Sequence, residues 1–159
     1  MTVTLKILGA ILIIGMGALA AKTGMTHEKK KLAVLDGWLG LLLYVRGQID
    51  CYLMPLDEIL SSADKDLLHA AGAGHPPTSW EGLLRAAMPY LGKESARLLT
   101  SFTRELGTSY REEQLRRCDY YLVALEKERD RLAATLPARL KLCTATSLCT
   151  AIGTAILLW

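Results

Sequence analysis

Ser109-Tyr110-Arg111-Glu112-Glu113-Gln114-Leu115 opens the stretch that decides the fold, and it runs without interruption to Ala155-Ile156-Leu157-Leu158-Trp159. Between those ends lies one long helical signal that begins polar and finishes apolar. A serine followed three residues later by a glutamate is the pattern of a capping box. The Ser109 hydroxyl is expected to take one free N–H of the first turn, and the Glu112 carboxylate to reach back to another. Gly107, just ahead, suits the end of a preceding helix, because the left-handed conformation costs glycine little. Leu115, Cys118, Leu122, Leu125, Leu132 and Leu136 then recur at helical spacing, with Glu126, Lys127, Glu128, Asp130 and Arg131 between them. This is an amphipathic helix with one buried seam, and only Arg129 falls on that seam out of pattern. After Lys141 charge disappears. The eighteen residues Leu142–Trp159 contain none, and at the helical rise they cover roughly 27 Å, close to the roughly 30 Å of a bilayer's hydrocarbon. Trp159 is expected at the far interface, where an indole finds both an apolar and a polar surrounding.

A second apolar stretch, Val3–Ala21, is interrupted only by Lys6. It can be read as a signal peptide, with a core from Ile7 to Ala21 and Ala18-Leu19-Ala20 as the cleavage site. It can equally be an anchor in which Lys6 snorkels to the interface. Flanking charge favours the anchor. Lys22, Lys29, Lys30 and Lys31 follow it, and Arg139 and Lys141 precede the C-terminal span, which no basic residue follows. Both spans therefore place the middle of the chain on the cytoplasmic side. The expected organisation is a transmembrane helix at 3–22, a cytoplasmic helical bundle at 28–140 and a transmembrane helix at 142–159. Gly17 and Ala21, and Ala145, Cys149 and Gly153, are small residues at the spacing that lets membrane helices approach closely, so a homo-oligomer is one use for them.

Within the bundle, five to six helices are expected. Leu32, Leu35, Leu39, Leu42, Val45 and Ile49 keep helical spacing from about Lys29 to Cys51, with Trp38, Leu41 and Leu43 widening the apolar face. Gly37, Gly40 and Gly47 each weaken that helix by about 1 kcal/mol relative to alanine, so tertiary packing must offset them and the helix is expected to be central. Pro55 fits the first position of a short helix ending near Ala63. Asp64 can cap another to about Ala71, and Gly72–Ser79 is a loop. Ser79 begins a helix carrying Trp80, Leu83, Leu84, Ala87 and Met88, which Pro89 stops. A helix from Lys93 to Leu106 presents Leu98, Leu99, Phe102 and Leu106 inward. Pro137 either bends or breaks the last helix. No stretch alternates with period two, so the class is all-α, an antiparallel bundle between two spans.

Composition narrows the function. All but one of the 19 basic residues, and all 16 acidic ones, lie between Lys22 and Lys141. That near balance argues against nucleic acid, which calls for a concentrated basic face. Cys51, Cys118, Cys143 and Cys149 have no metal-ligand spacing and read as small buried hydrophobes in a reducing compartment. Asp66, His69 and His75 sit at a loop edge with no spacing that supports a site. With three histidines and one phenylalanine, the sequence predicts neither an enzyme nor a cofactor, metal or small-molecule substrate.

The stretch Leu106-Gly107-Thr108-Ser109-Tyr110-Arg111-Glu112-Glu113-Gln114 resembles the LGxSDxExQ segment of the stage III sporulation protein AB family, departing at Tyr110, where that family often carries aspartate. Ile49 to Leu60, with Tyr52, Pro55, Leu56, Glu58 and Leu60, is similar to a second block of the family, as are Trp80 and the Leu157-Leu158-Trp159 ending. The resemblance covers essentially the whole chain. It implies a role without a reaction. The helical part would resemble the cytoplasmic domain of the type II secretion platform protein F, and would dock a cytoplasmic ATPase. The two spans would hold it in the mother cell membrane facing the forespore, among the other stage III sporulation channel proteins. Leu106, Gly107, Ser109, Glu112 and Gln114 would be a structural corner, and Arg111, Glu113, Arg116 and Arg117 the exposed candidates for partner binding. The competing expectation is an exported helical interaction protein, held by its tail after its N-terminal segment is cleaved.

Overall fold

The computed structural model describes the backbone of residues 2–51 and 56–158, and the side chains of residues 15, 16, 19, 22–51, 58–142, 144–150, 152 and 153. Helices run over Thr2–Cys51 (α1), Leu56–Ser62 (α2), Lys65–Ala70 (α3), Trp80–Ala87 (α4), Lys93–Glu105 (α5) and Arg111–Leu158 (α6), with a 3-10 turn at Met88–Tyr90. No strand occurs among the described residues, and the protein is all-α, as the periodicity predicts. Residues 30–133 form one unit. The start of α1, up to Lys29, and the end of α6, from Ala134, form the other.

In the unit of residues 30–133, α1 and α6 run antiparallel, because the partners descend α6 as they climb α1. Asp36 pairs with Arg129, Arg46 with Asp119 and Asp50 with Arg111. Leu35, Trp38, Leu41, Leu42 and Val45 from α1, Leu83 and Ala87 from α4, Leu99 and Phe102 from α5, and Cys118, Leu122 and Leu125 from α6 share one core. The apolar face of α1 is wide because it meets several elements. Tyr44 on α1 hydrogen-bonds Ser62 on α2 at 3.2 Å, and the Lys30 ammonium lies 4.2 Å from the Tyr90 ring.

The short helices start and stop where local chemistry dictates. The Asp64 carboxylate accepts the Asp66 N–H at 3.1 Å, and the Ser79 hydroxyl accepts the Gly82 N–H at 3.1 Å. Each satisfies a first-turn donor that the helix cannot. α3 closes in a Schellman turn. Gly72 takes φ 102°, its N–H bonds the His69 carbonyl, and the Ala73 N–H bonds that of Leu68, both at 3.0 Å. α3 comes so near α1 that a Cβ on Gly37 would lie 2.3 Å from the Ala70 carbonyl carbon and oxygen. The glycine is there for this approach.

Several expectations need correction. Ser109 and Glu112 do not form a capping box. α6 begins at Arg111, and the Tyr110 carbonyl accepts the Gln114 N–H at 2.9 Å, so Ser109 lies one residue ahead of the cap position. The turn is held instead by Gly107 at φ 82° and by the Thr108 hydroxyl on the Glu105 carbonyl at 2.8 Å. Met88 and Leu43 are exposed, because the 3-10 turn rotates the former and the latter lies off the packed face of α1. Glu128 is buried rather than solvated, held by two bonds from the Arg131 guanidinium at 2.7 and 2.8 Å. Only Cys118 of the cysteines with described side chains is buried; Cys51 and Cys149 are exposed. α1 starts at Thr2, not near Lys29. Thr23 and Thr26 do not break it, because their hydroxyls donate to the Leu19 and Thr23 carbonyls at 3.0 and 2.8 Å without displacing backbone bonds. The expected roles of Pro55 and Trp159 lie outside the described residues.

In the other unit, Glu28 and Arg139 form an ion pair at 3.5 Å. α6 continues through Pro137 without a break. Met16, Leu19, Leu142, Leu148 and Ile152 are all exposed. By length and composition, one stretch among the described residues, Lys22–Cys51, could cross a membrane. Its hydropathy is already accounted for by the side chains it buries in the core, Leu35, Trp38, Leu41, Leu42 and Val45.

Candidate functional site

Arg111, Glu113, Arg116 and Arg117 occupy the first two turns of α6, but they do not form one patch. Arg111 turns onto the last turn of α1. Its Nε donates to the Ile49 carbonyl at 3.2 Å, and its Nη2 donates to the Asp50 carbonyl and, at 2.8 Å, to the Asp50 carboxylate. A helix leaves its final carbonyls without partners and its C-terminus negative, so a guanidinium there answers both. Arg111 is thus committed to the fold, across 62 residues of sequence. Arg117 bonds Glu113 at 3.2 Å and lies 3.6 Å from Glu105 on α5. Arg116 reaches the Glu113 carboxylate only at 3.9 Å and is 77% exposed. Of the four, it is the side chain most available to a partner.

The corner residues serve packing. Leu106 and Gln114 meet Phe102, Cys118 and Tyr121 around a small gap of about 10 Å3. The Phe102 and Tyr121 rings cross edge to face with centroids 5.6 Å apart, a favoured aromatic geometry. Burial pushes the Cys118 thiol up to about 11, with the Asp119 carboxylate adding to the effect. A thiol held protonated in this way is neither a nucleophile nor a metal ligand. Burial, and then Glu105, raise the Tyr121 phenol above its ordinary value. Among the described residues, no cluster of three or more His, Cys, Asp or Glu side chains could hold a metal ion.

Two surfaces escaped the sequence reading. On α6, Arg116, Tyr120, Val123 and Lys127 recur at helical spacing on one face, and Tyr120 and Val123 are 64% and 65% exposed. The signal was there, as a second apolar pair off the core seam. The other surface is a cleft of about 490 Å3 between α1, α3 and the 3-10 turn, bounded by Lys30, His69 and Tyr90 and floored by alanine and glycine. A neighbouring cleft of about 150 Å3 shares His69, Ala73 and Gly74 with it and reaches Lys65 and His75. No local pattern announces a cleft built from segments as far apart in sequence as Lys30–Val34, His69–Gly74 and Ala86–Tyr90.

Compared with known families, residues 65–159 match the model described as Stage III sporulation protein AB. No curated protein matches the chain, and no solved structure does.

Proposed function

The chain belongs to the stage III sporulation protein AB family, and from that premise we propose that it is a membrane-anchored, non-enzymatic platform subunit of the channel between mother cell and forespore. Its helical bundle docks a cytoplasmic ATPase, and the apolar ends of α1 and α6 hold the bundle to the mother cell membrane beside the other stage III proteins of a secretion-like complex.

The observation that carries this reading is the exposure of Met16, Leu19, Leu142, Leu148 and Ile152. Five large apolar side chains bare to water along two helix ends would be costly, whereas lipid covers them at no cost. The hydroxyls of the same segment agree with a lipid setting. Thr144 and Thr146 donate to the Leu140 and Leu142 carbonyls at 2.9 and 2.8 Å, and Thr150 to that of Thr146, so each is satisfied within the helix. Lys22 and Lys29 on α1 and Arg139 and Lys141 on α6 border these ends, which supports a cytoplasmic bundle. α1 is helical straight through Ala18–Ala21, which favours an anchor over a cleavage site. On the bundle, the exposed Arg116, Tyr120, Val123 and Lys127 face has the aromatic and arginine content typical of protein docking sites. Ala145, Cys149 and Gly153 are small or exposed along α6, which supports close association of copies.

The test is thiol labelling of a Thr78→Cys variant whose four native cysteines are replaced by alanine or serine. A membrane-impermeant maleimide should label Cys at 78 only after the cytoplasmic face is opened, and the full chain should then co-purify with the ATPase of the same complex. Labelling in intact cells would place the bundle outside and leave the exported, cleaved form as the reading to pursue.

A further inference from the structure

The two adjoining clefts are rimmed by two lysines that no ion pair among the described residues takes up. The arginines of the bundle are largely consumed by carboxylates: Arg46 by Asp119, Arg97 by Glu94, Arg117 by Glu113 and Arg129 by Asp36. Lys30 and Lys65 have no such partner among the described residues, and both border the clefts together with His69 and His75. Among the described residues, no carboxylate lines either cleft. Basic groups around a concave wall reinforce one another, because the low-dielectric surface focuses their field. The contact of Lys30 with the Tyr90 ring, 4.2 Å away, holds one of these charges at the rim, since a cation is attracted to the ring face.

The shape narrows the ligand. The larger cleft, of about 490 Å3, falls within the roughly 300–1,000 Å3 of clefts that take ligands. Its floor of Ala33, Ala70, Ala73 and Ala86 with Gly72 and Gly74 leaves room for a polypeptide backbone to lie close. The two cations stand apart, Lys30 on α1 and Lys65 on α3, not gathered at one point as a single phosphate requires. We propose that this groove docks an extended acidic peptide segment of a partner protein, its backbone over the alanine and glycine floor and its carboxylates reaching Lys30 at one end and Lys65 at the other. The inference rests on the bundle being a docking module, but not on which protein it docks.

The probe is fluorescein-labelled hexaglutamate, titrated by anisotropy into the full chain in neutral detergent micelles. Positions 30, 65 and 86 are exposed, so Lys30→Glu/Lys65→Glu and Ala86→Trp should fold; the first reverses the charge and the second fills the cleft without changing charge. Each is expected to weaken binding roughly tenfold or more, a loss of about 1.4 kcal/mol. Arg104→Glu, an exposed charge reversal on α5 away from the groove, should change it less than about twofold. The proposal is overturned by absence of binding, by full binding to Ala86→Trp, by an equal loss in Arg104→Glu, or by complete competition from inorganic phosphate. ATPase association is scored separately. Its failure with intact hexaglutamate binding would sink the proposed function and leave the groove, and the reverse would sink the groove alone.

Discussion

Replacing Gly37 with alanine should destabilise the bundle, although alanine is the better helix former. On propensity alone the change gains about 1 kcal/mol in a helix interior. The structure reverses that sign. A Cβ at this position would stand 2.3 Å from the Ala70 carbonyl carbon and oxygen and 2.6 Å from the Ala71 nitrogen, where ordinary contact begins at 3.4 Å. These are backbone atoms, so no side chain can swing aside, and α3 must retreat by roughly an ångström. A gap of that size forfeits roughly a quarter to a half of each contact's attraction, and the contacts at stake include those of Leu68 and Ala71, both buried. Overpacking of this kind costs roughly 1–3 kcal/mol. The expected net loss is about 2 kcal/mol, or roughly 8–16 °C in Tm for a unit of this size. Gly47→Ala is the paired control, because nothing lies within 4 Å of a Cβ there. It should gain roughly 0.5–1 kcal/mol. Thermal unfolding of the full chain in micelles, followed by tryptophan fluorescence from the buried Trp38 and Trp80, measures both. A Gly37→Ala variant as stable as the parent would refute the close packing of α3 on α1.

Other outcomes follow from the same contacts. Asp64→Ala and Ser79→Ala each remove an N-cap and should cost about 1 kcal/mol in thermal unfolding, with Asn at either position restoring most of it. Arg111→Ala strips the end of α1 of its cation and should cost roughly 1–2 kcal/mol, whereas Arg116→Ala should stay within about 0.5 kcal/mol; equal effects would contradict the assignment of Arg111 to the fold. The Cys118 thiol, raised from 9.0 to about 11, stays protonated in the folded chain while the unfolded chain ionises first. Its contribution is therefore complete below pH 9 and is lost as pH climbs toward 11, by roughly 2 kcal/mol. Cys118→Ala should remove that part of the pH slope in urea unfolding, and a maleimide at pH 8 should modify Cys51 well before Cys118.

What could be read in the sequence was what is decided within one or two turns of chain. The caps at Asp64 and Ser79, the positive φ of Gly107, and the buried stripe from Leu35 to Ile49 depend on neighbours three or four residues away, and the structure has them where the spacing predicts. The Ser109 box had the right spacing and still failed, because the turn after Gly107 uses Thr108 and delays the helix to Arg111. Gly37 shows the opposite error. Its propensity cost was legible, but its purpose lies in Ala70, on another helix. By sequence Arg111 is an exposed candidate for partner binding and Glu128 a solvated charge, because nothing local distinguishes them. One is committed by carbonyls 61 and 62 residues earlier in the chain, and the other is buried by the way α6 meets its neighbours. The clefts were invisible for the same reason.

The antiparallel pairing of α1 with α6 also sets a schedule for biosynthesis. The residues that complete the core from α6, Cys118, Leu122 and Leu125, cannot reach Leu35, Trp38, Leu41 and Leu42 until the ribosome has made them. About sixty residues separate Cys51 from Arg111, which at roughly 5–20 residues per second is several seconds of elongation. During that interval α2 to α5 can form through local contacts and shorten the loop whose closure opposes the long-range pairing. The apolar stripe of α1 meanwhile lacks the helix that completes its cover. The nascent chain is therefore at its stickiest midway through translation, and its α3 and α4 helices act as a temporary shield until the last helix emerges.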